Sequence, residues 1–366
     1  MNRVKRSVSL PSLAVALVAL AAACAPTAAP SPTAAPAKSA EAPAANPAEA
    51  KLNQLYESAK NEGELIWAGS GGPDVYGPVA NLFQSRFPGI KVTVVDLPGP
   101  QVIQRVVAES QAKRVTADVF IGGAVSVMSL IERDLVLPHD FSDTSASPND
   151  VILDNKLLLV TDVVVPWYYN KNLVSPDDVP RKPEDLLNPK FRGKIAVVKT
   201  GDGWEMWDGI WDQAKVISFV KQLADAKQLT LLATFGSEGV DKAARGEELL
   251  TNSQALYRGM VNIEQGAPLD LAPIGAQVDL AGVFTVPGSP HPRLAELFVQ
   301  WMTTPEAREA MAKVGRGRLQ PCTGPGSQDQ FVCGKNLDLF YMDTVDKIKR
   351  SIPQRDEIAR ILGSYD

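Results

Sequence analysis

The stretch Thr161-Asp-Val-Val-Val-Pro-Trp-Tyr-Tyr-Asn-Lys-Asn-Leu-Val174 constrains the fold more than any other part of this chain. Its β-branched run, Val163 to Val165, reads as a buried strand. Pro166 cannot donate to a sheet ladder, so a strand containing it is an edge strand or one leaving its sheet. The chain stays extended through Trp167, Tyr168 and Tyr169 and turns at Asn170-Lys-Asn172. Strand–helix alternation precedes the stretch, and a second series starts at Lys194-Ile-Ala-Val-Val198. Two readings follow: a strand crossing from one lobe to another, or an ordinary edge strand in one large domain.

The first series opens with a helix over 52–61, apolar at Leu52, Leu55, Tyr56 and Ala59. Strand Glu64–Ala68 runs into Gly69-Ser-Gly-Gly-Pro73, and a helix follows from Val75 to Phe87. Such a turn can hold an anion, because free N–H groups and the helix dipole both favour negative charge; a tight turn that simply needs glycine is the alternative. Its spacing matches neither the Walker phosphate loop nor the dinucleotide fingerprint. Strand Ile90–Val95, helix Gln101–Lys113, strand Ala117–Ile121 and the turn Gly122-Gly-Ala124 complete the series. Ligands of parallel sheets bind outside the carboxyl ends of the strands. That makes Ser70, Gly71, Gly72, Gly122, Gly123 and Ala124 candidate cleft residues.

In the second series the loop Thr200-Gly-Asp-Gly-Trp204, containing Gly203, stands where the first series has its glycine turns. A helix is expected to carry Trp204, Trp207 and Trp211 on one stripe, with Trp207 and Trp211 in the core and Trp204 at the helix mouth, open to ligand stacking. Helices are expected over 215–226 and 238–249, and strands at Gln254–Gly259, Leu269–Pro273 and Gly282–Val286, the last a return crossover. Helices over 294–302, 305–314 and 337–362 follow.

The N-terminus reads separately. Arg3, Lys5 and Arg6 precede an apolar run, Leu13–Ala23, that ends before Cys24. This is a secretory signal over 1–24, and it resembles a bacterial lipoprotein signal. The usual leucine three positions before the cysteine is Ala21 here, with Leu20 one further back, which leaves ordinary signal-peptidase cleavage open. Residues 25–50, rich in Ala and Pro, cannot bury enough apolar surface to order themselves and read as a disordered tether, at most about 90 Å long. Of three cysteines, Cys322 and Cys333 lie close together and would pair in an oxidising compartment; a shared metal is the alternative, without a nearby histidine. Cys24 is then the odd one, and lipidation accounts for it. The net charge of −5 argues against nucleic acid as a partner.

Several ordered segments resemble the extracellular solute-binding lipoproteins of ABC importers, in the ferric-binding-like branch of type 2 periplasmic binding proteins. They are Leu55-Tyr-Glu-Ser-Ala-Lys-Asn-Glu-Gly-Glu-Leu65, Ala108-Glu-Ser-Gln-Ala with Ala117-Asp-Val, Trp167-Tyr-Tyr-Asn-Lys-Asn-Leu173, Asp185-Leu-Leu-Asn-Pro-Lys-Phe-Arg-Gly-Lys-Ile195, and Pro287 to Trp301 with Pro305-Glu-Ala-Arg308. The resemblance implies an α/β fold of two Rossmann-like lobes joined by crossover hinge strands, 51–165 with 279–318 and 166–278 with 319–366, and a small ligand between them. It implies delivery to an importer permease, an extracytoplasmic place at the membrane, and no enzymatic role. No catalytic residue, metal or cofactor is assigned, and a monomer is expected.

Ferric members of this branch hold iron with adjacent tyrosines. Tyr168-Tyr169 looks like such a pair, but neighbouring strand residues face opposite ways, and near residue 257 only Tyr257 is present, followed by Arg258. His139 and His291 read as structural. A small organic anion is the expected ligand, lined also by Tyr168, Gly203, Trp204 and Tyr257; ferric iron or an iron complex is the alternative. A tethered hydrolase is the rival of another class, but the chain has no Gly-x-Ser-x-Gly elbow and no His-Glu-x-x-His.

Overall fold

The computed structural model describes residues 46–364 other than 98, 325 and 336. The signal, Cys24 and most of the tether lie outside the described residues. The tether ends earlier than expected: Asn46 caps helix α1 (Pro47–Ala59), its Oδ1 accepting from the Ala48 N–H at 3.2 Å. Proline suits a first helical turn, where its missing N–H costs nothing.

The first series then runs β1 (Glu64–Gly69), α2 (Gly72–Arg86), β2 (Lys91–Asp96), α3 (Gly99–Gln111), β3 (Val119–Gly123) and α4 (Ala124–Ile131). A two-residue β4 (Val151–Ile152) leads to the long β5 (Leu157–Asn170). The second series comprises β6 (Ile195–Val198), α5 (Gln213–Asp225), β7 (Leu229–Leu232), α6 (Ser237–Arg245), β8 (Leu250–Thr251) and α7 (Leu256–Glu264). The long β9 (Leu269–Phe284), α8 (Pro292–Trp301), α9 (Pro305–Lys313), α10 (Ser327–Cys333), β10 (Leu339–Tyr341) and α11 (Val345–Gly363) complete the chain. Among the described residues no helix is long and apolar enough to cross a membrane.

One sheet runs β2-β1-β3-β9-β5-β8-β6-β7. Its outer strands form two parallel groups, and β5 and β9 pair antiparallel between them along nearly their full lengths. The crossover reading of Thr161–Val174 therefore describes the strand, and the two short strands expected at 269–273 and 282–286 are the ends of one return strand. Pro166 sits where the register slips: it faces Ala276 while Trp167 faces Ala272. Pro273, Ile274 and Gly275 bulge out opposite this step, the local extra length that a ladder-breaking proline tolerates. The freed Ile274 carbonyl accepts from the Trp207 indole at 3.0 Å.

Side chains alternate across the sheet, so each parallel group carries a core on both faces. On the first, Leu65 and Trp67 pack with α1, α2, α8 and α9, while Ala68 packs with α3 and α4. On the second, Trp167 packs with α5 and α11, and Tyr168 packs with α6 and α7.

Several expected elements differ. The tryptophan stripe is not a helix: a single 3-10 turn spans Glu205–Trp207, and α5 begins only after Asp212, whose Oδ1 caps it through the Lys215 N–H at 2.8 Å. Residues 254–259 are not a strand. Leu256, Gly259 and Met260 are buried at helical spacing in α7, a period hidden when the window stops at Gly259. The helix expected over 238–249 stops at Gly246, which takes the left-handed cap conformation at φ 79°, and part of the expected terminal helix is strand β10. Cys322 and Cys333 form a disulfide. Closing so short a loop stabilises by roughly 2–3 kcal/mol in the chain-entropy model.

Candidate functional site

β1 delivers the chain into the Ser70-Gly71 turn, and α2 starts at Gly72. Gly71 has φ 133° and Gly72 φ 57°, and a Cβ on Gly72 would lie 2.8 Å from the Asp96 Cβ. Backbone conformation and crowding thus both require glycine here. Asp96 ends β2, and its Oδ1 accepts from the Gly71 N–H at 3.1 Å.

One turn into α2, Tyr76 is buried, and its hydroxyl accepts from Arg316 Nε at 3.0 Å. Arg316 lies between two glycines after α9 and is 4% exposed. Its neighbours fix it in place. The Gly317 carbonyl accepts from the Asp162 N–H at 3.1 Å, and Arg318 Nε and Nη1 pair with Asp162 and Asp150, each at 2.8 Å. The segment is therefore clamped to β5.

Helix α7 supplies the rest. The Arg316 guanidinium carbon lies 4.3 Å from the Tyr257 ring centroid, and Arg258 Nε donates to the Tyr257 hydroxyl at 3.1 Å. Burial would raise the Tyr257 pKa, but Arg316, Arg258 and hydrogen bonding with Ser70 outweigh it and hold the phenol below its usual value. Arg258 is raised, first by its bond to Tyr257 and also by the charge of Asp96. Among the described residues no carboxylate stands within ion-pair distance of Arg316 or Arg258. A buried guanidinium without a carboxylate is costly. Arg316 is buried and Arg258 exposed, and the two converging on one turn create a place where an anion is stabilised by both.

Ser70, Gly71, Gly72 and Tyr257 of the expected residues meet here. Gly122 and Gly123 are not in a turn: they end β3, paired with Gly282 and Ala281, and Ala124 begins α4 directly. A Cβ on Gly122 would lie 3.2 Å from the Phe284 ring, so packing accounts for that glycine.

Tyr168 is fully buried, and its hydroxyl has no hydrogen-bond partner among the described residues. Burial pushes its pKa far up. It lies under α7, where a Cβ on Gly259 would come within 2.2 Å of its hydroxyl. It supports the helix that presents Tyr257. Trp204 is fully buried too, edge-on to Trp167 and Trp207 at 5.9 and 5.6 Å between centroids, which accounts for the ring without a ligand.

The loop around Gly203 is already satisfied. The N–H groups of Gly203 and Trp204 donate to Glu205 Oε2 at 3.1 and 3.0 Å. Glu205 pairs in turn with Arg355 of α11, which also reaches Asp202 at 2.6 Å and Asp279 at 3.9 Å. The chain's own carboxylate fills what read as an anion turn. Both histidines are likewise occupied, His139 against Glu296 at 2.6 Å and His291 against Asp118 at 3.1 Å.

Sequence reasoning missed Arg316, Tyr76 and Asp96. Arg316 stands beyond the segments that carry the family resemblance, and a lone Gly-Arg-Gly marks only a turn.

A family model described as bacterial extracellular solute-binding protein matches residues 68–309. No curated protein matches the sequence. Among solved structures, iron-bound HitA from Pseudomonas aeruginosa aligns with TM-score 0.61 at 16% identity, covering 81% of this chain and 99% of that one. The periplasmic binding protein AfuA from Actinobacillus pleuropneumoniae, solved with exogenous fructose-6-phosphate, aligns with TM-score 0.59 at 19% identity over 82% and 97%. AgtB from Agrobacterium tumefaciens R10, solved with agropinic acid, aligns with TM-score 0.62 at 18% identity over 82% and 98%.

Proposed function

From the premise that the chain belongs to the bacterial extracellular solute-binding protein family, we propose that it captures a small organic anion at the Ser70–Tyr257–Arg316 cluster and delivers it to an ABC import permease. The family binds solutes and catalyses nothing, and it works outside the cytoplasm. The observation that carries the anion reading is Arg316, buried beside Arg258 without a carboxylate partner. The two lobes are 51–165 with 279–318 and 166–278 with 319–366, and β5 and β9 are their hinge. Ligand shifts an open–closed equilibrium by binding the closed form better.

A thermal-shift panel of organic acids, phosphate esters, neutral sugars and ferric citrate tests this. Acids should raise the melting temperature, neutral sugars should not, and ferric citrate should leave the protein colourless. A tyrosinate charge-transfer band, with no response to acids, would replace the anion reading with the ferric one.

The body is tethered to the membrane through a lipid on Cys24. The support is the apolar run before it and the pairing of the other two cysteines. Intact-mass analysis of protein extracted from its native membrane should give a chain starting at Cys24 with acyl mass added. An unmodified, soluble Cys24 form would sink the tether.

A further inference from the structure

We propose that Asp96 makes this site selective for acids negatively charged at one end only and carrying hydroxyl or ammonium donors at the other. The inference rests on the anion reading and adds the other half of the ligand. Asp96 uses Oδ1 to accept from the Gly71 N–H at 3.1 Å. Its other oxygen makes no hydrogen bond among the described residues, and the residue is exposed at the end of β2.

The backbone beside it is crowded, since even a methyl group on Gly72 would lie 2.8 Å from its Cβ. Asp96 is therefore held at the turn that also carries Ser70, close enough for its charge to act on Arg258. The site presents two guanidinium groups and one carboxylate. A ligand acid placed on Arg316 leaves the remainder of the molecule to meet Asp96. A carboxylate accepts hydrogen bonds only, so it favours donors and repels a second acid. A carboxylate and a phosphate ester serve Arg316 equally well, because each offers paired oxygens to a guanidinium.

The experiment is calorimetric titration of the purified mature chain and its Asp96→Asn variant. The ligands are gluconate, glucarate, glucose 6-phosphate and glucitol. Gluconate and glucarate share their four chain hydroxyl groups and differ at the second end, a hydroxymethyl group in the first and an acid in the second. Asparagine keeps an oxygen for the Gly71 N–H, and an unchanged melting temperature verifies the fold.

The wild type should bind gluconate or glucose 6-phosphate at least about tenfold more tightly than glucarate, and the stronger of the two identifies the acid. Asp96→Asn should shrink that ratio severalfold. A wild type that prefers glucarate, or a ratio unmoved by Asp96→Asn, overturns the role of Asp96 and leaves the anion reading intact. Failure of all three acids to bind overturns both.

Discussion

Arg316→Met should lower affinity for the anionic ligand by two to three decades and change the stability of the empty protein little. Leaving the buried Tyr76 hydroxyl unpaired costs about 1–3 kcal/mol, which is offset by the desolvation cost of the cation that disappears. A bidentate, charge-assisted contact to a ligand acid is worth about 3–4 kcal/mol at this burial, and each 1.4 kcal/mol is tenfold in affinity. The empty fold loses little, because Arg316 has no carboxylate that its removal would strand. Its polar partner is the Tyr76 hydroxyl and its flat face rests on Tyr257. Methionine can occupy the same space against that ring, and the desolvation cost of a buried cation disappears.

Arg316→Lys gives the discriminating control. It keeps the charge and loses the planar fork, so its affinity should fall between the two. Calorimetric titration with the strongest ligand of the panel, alongside thermal melts, measures both quantities. Unchanged affinity in Arg316→Met would remove the arginine from the site; a large loss of stability would show that it is a structural residue.

Arg355→Met should be the most destabilising single change considered, by about 3–5 kcal/mol, the usual cost of stripping one partner from a buried ion pair. Arg355 faces Glu205, Asp202 and Asp279, and Glu205 is fully buried. Burial pushes Glu205 up to about 7 even with Arg355 pulling the other way, and Asp279 is raised as well, again chiefly by burial.

The pH dependence follows. The folded value of Glu205 lies above its ordinary 4.5. Its contribution is therefore full below about 4.5 and is lost as pH rises through 7. Wild-type stability should decline across that window on account of this group. Glu205→Gln should flatten the decline. Without Arg355 the carboxyl holds its proton to still higher pH, so the loss extends further, and the double variant should recover part of the stability of Arg355→Met. Denaturant melts between pH 5 and 8 read all four proteins. Equal midpoints for wild type and Arg355→Met would refute the account.

Both arginines show how far the chain could be read without its fold. Short-range periods decide much here. Strand–helix alternation, the β-branched run at Val163–Val165 and the glycines at 69–72 act through neighbours a few residues apart, so the sequence by itself determined the α/β class, a strand through Val163–Val165, and the glycine turn that carries Ser70 and Gly71. That this strand crosses the sheet rather than edging it was decided by its pairing with β9. The proximity of Cys322 and Cys333 was enough to anticipate their bridge.

What only the tertiary structure decided depends on contacts between distant segments. Arg316 meets Tyr76 across 240 residues of sequence, and no local period signals such a meeting. Trp204 and Gly203 looked equivalent to the first glycine turn because local chemistry is the same in both. The difference lies in Glu205 and Arg355, which satisfy the second turn internally. A turn's sequence determines whether its N–H groups can face outward; the packing of the rest of the chain against it determines whether they remain available.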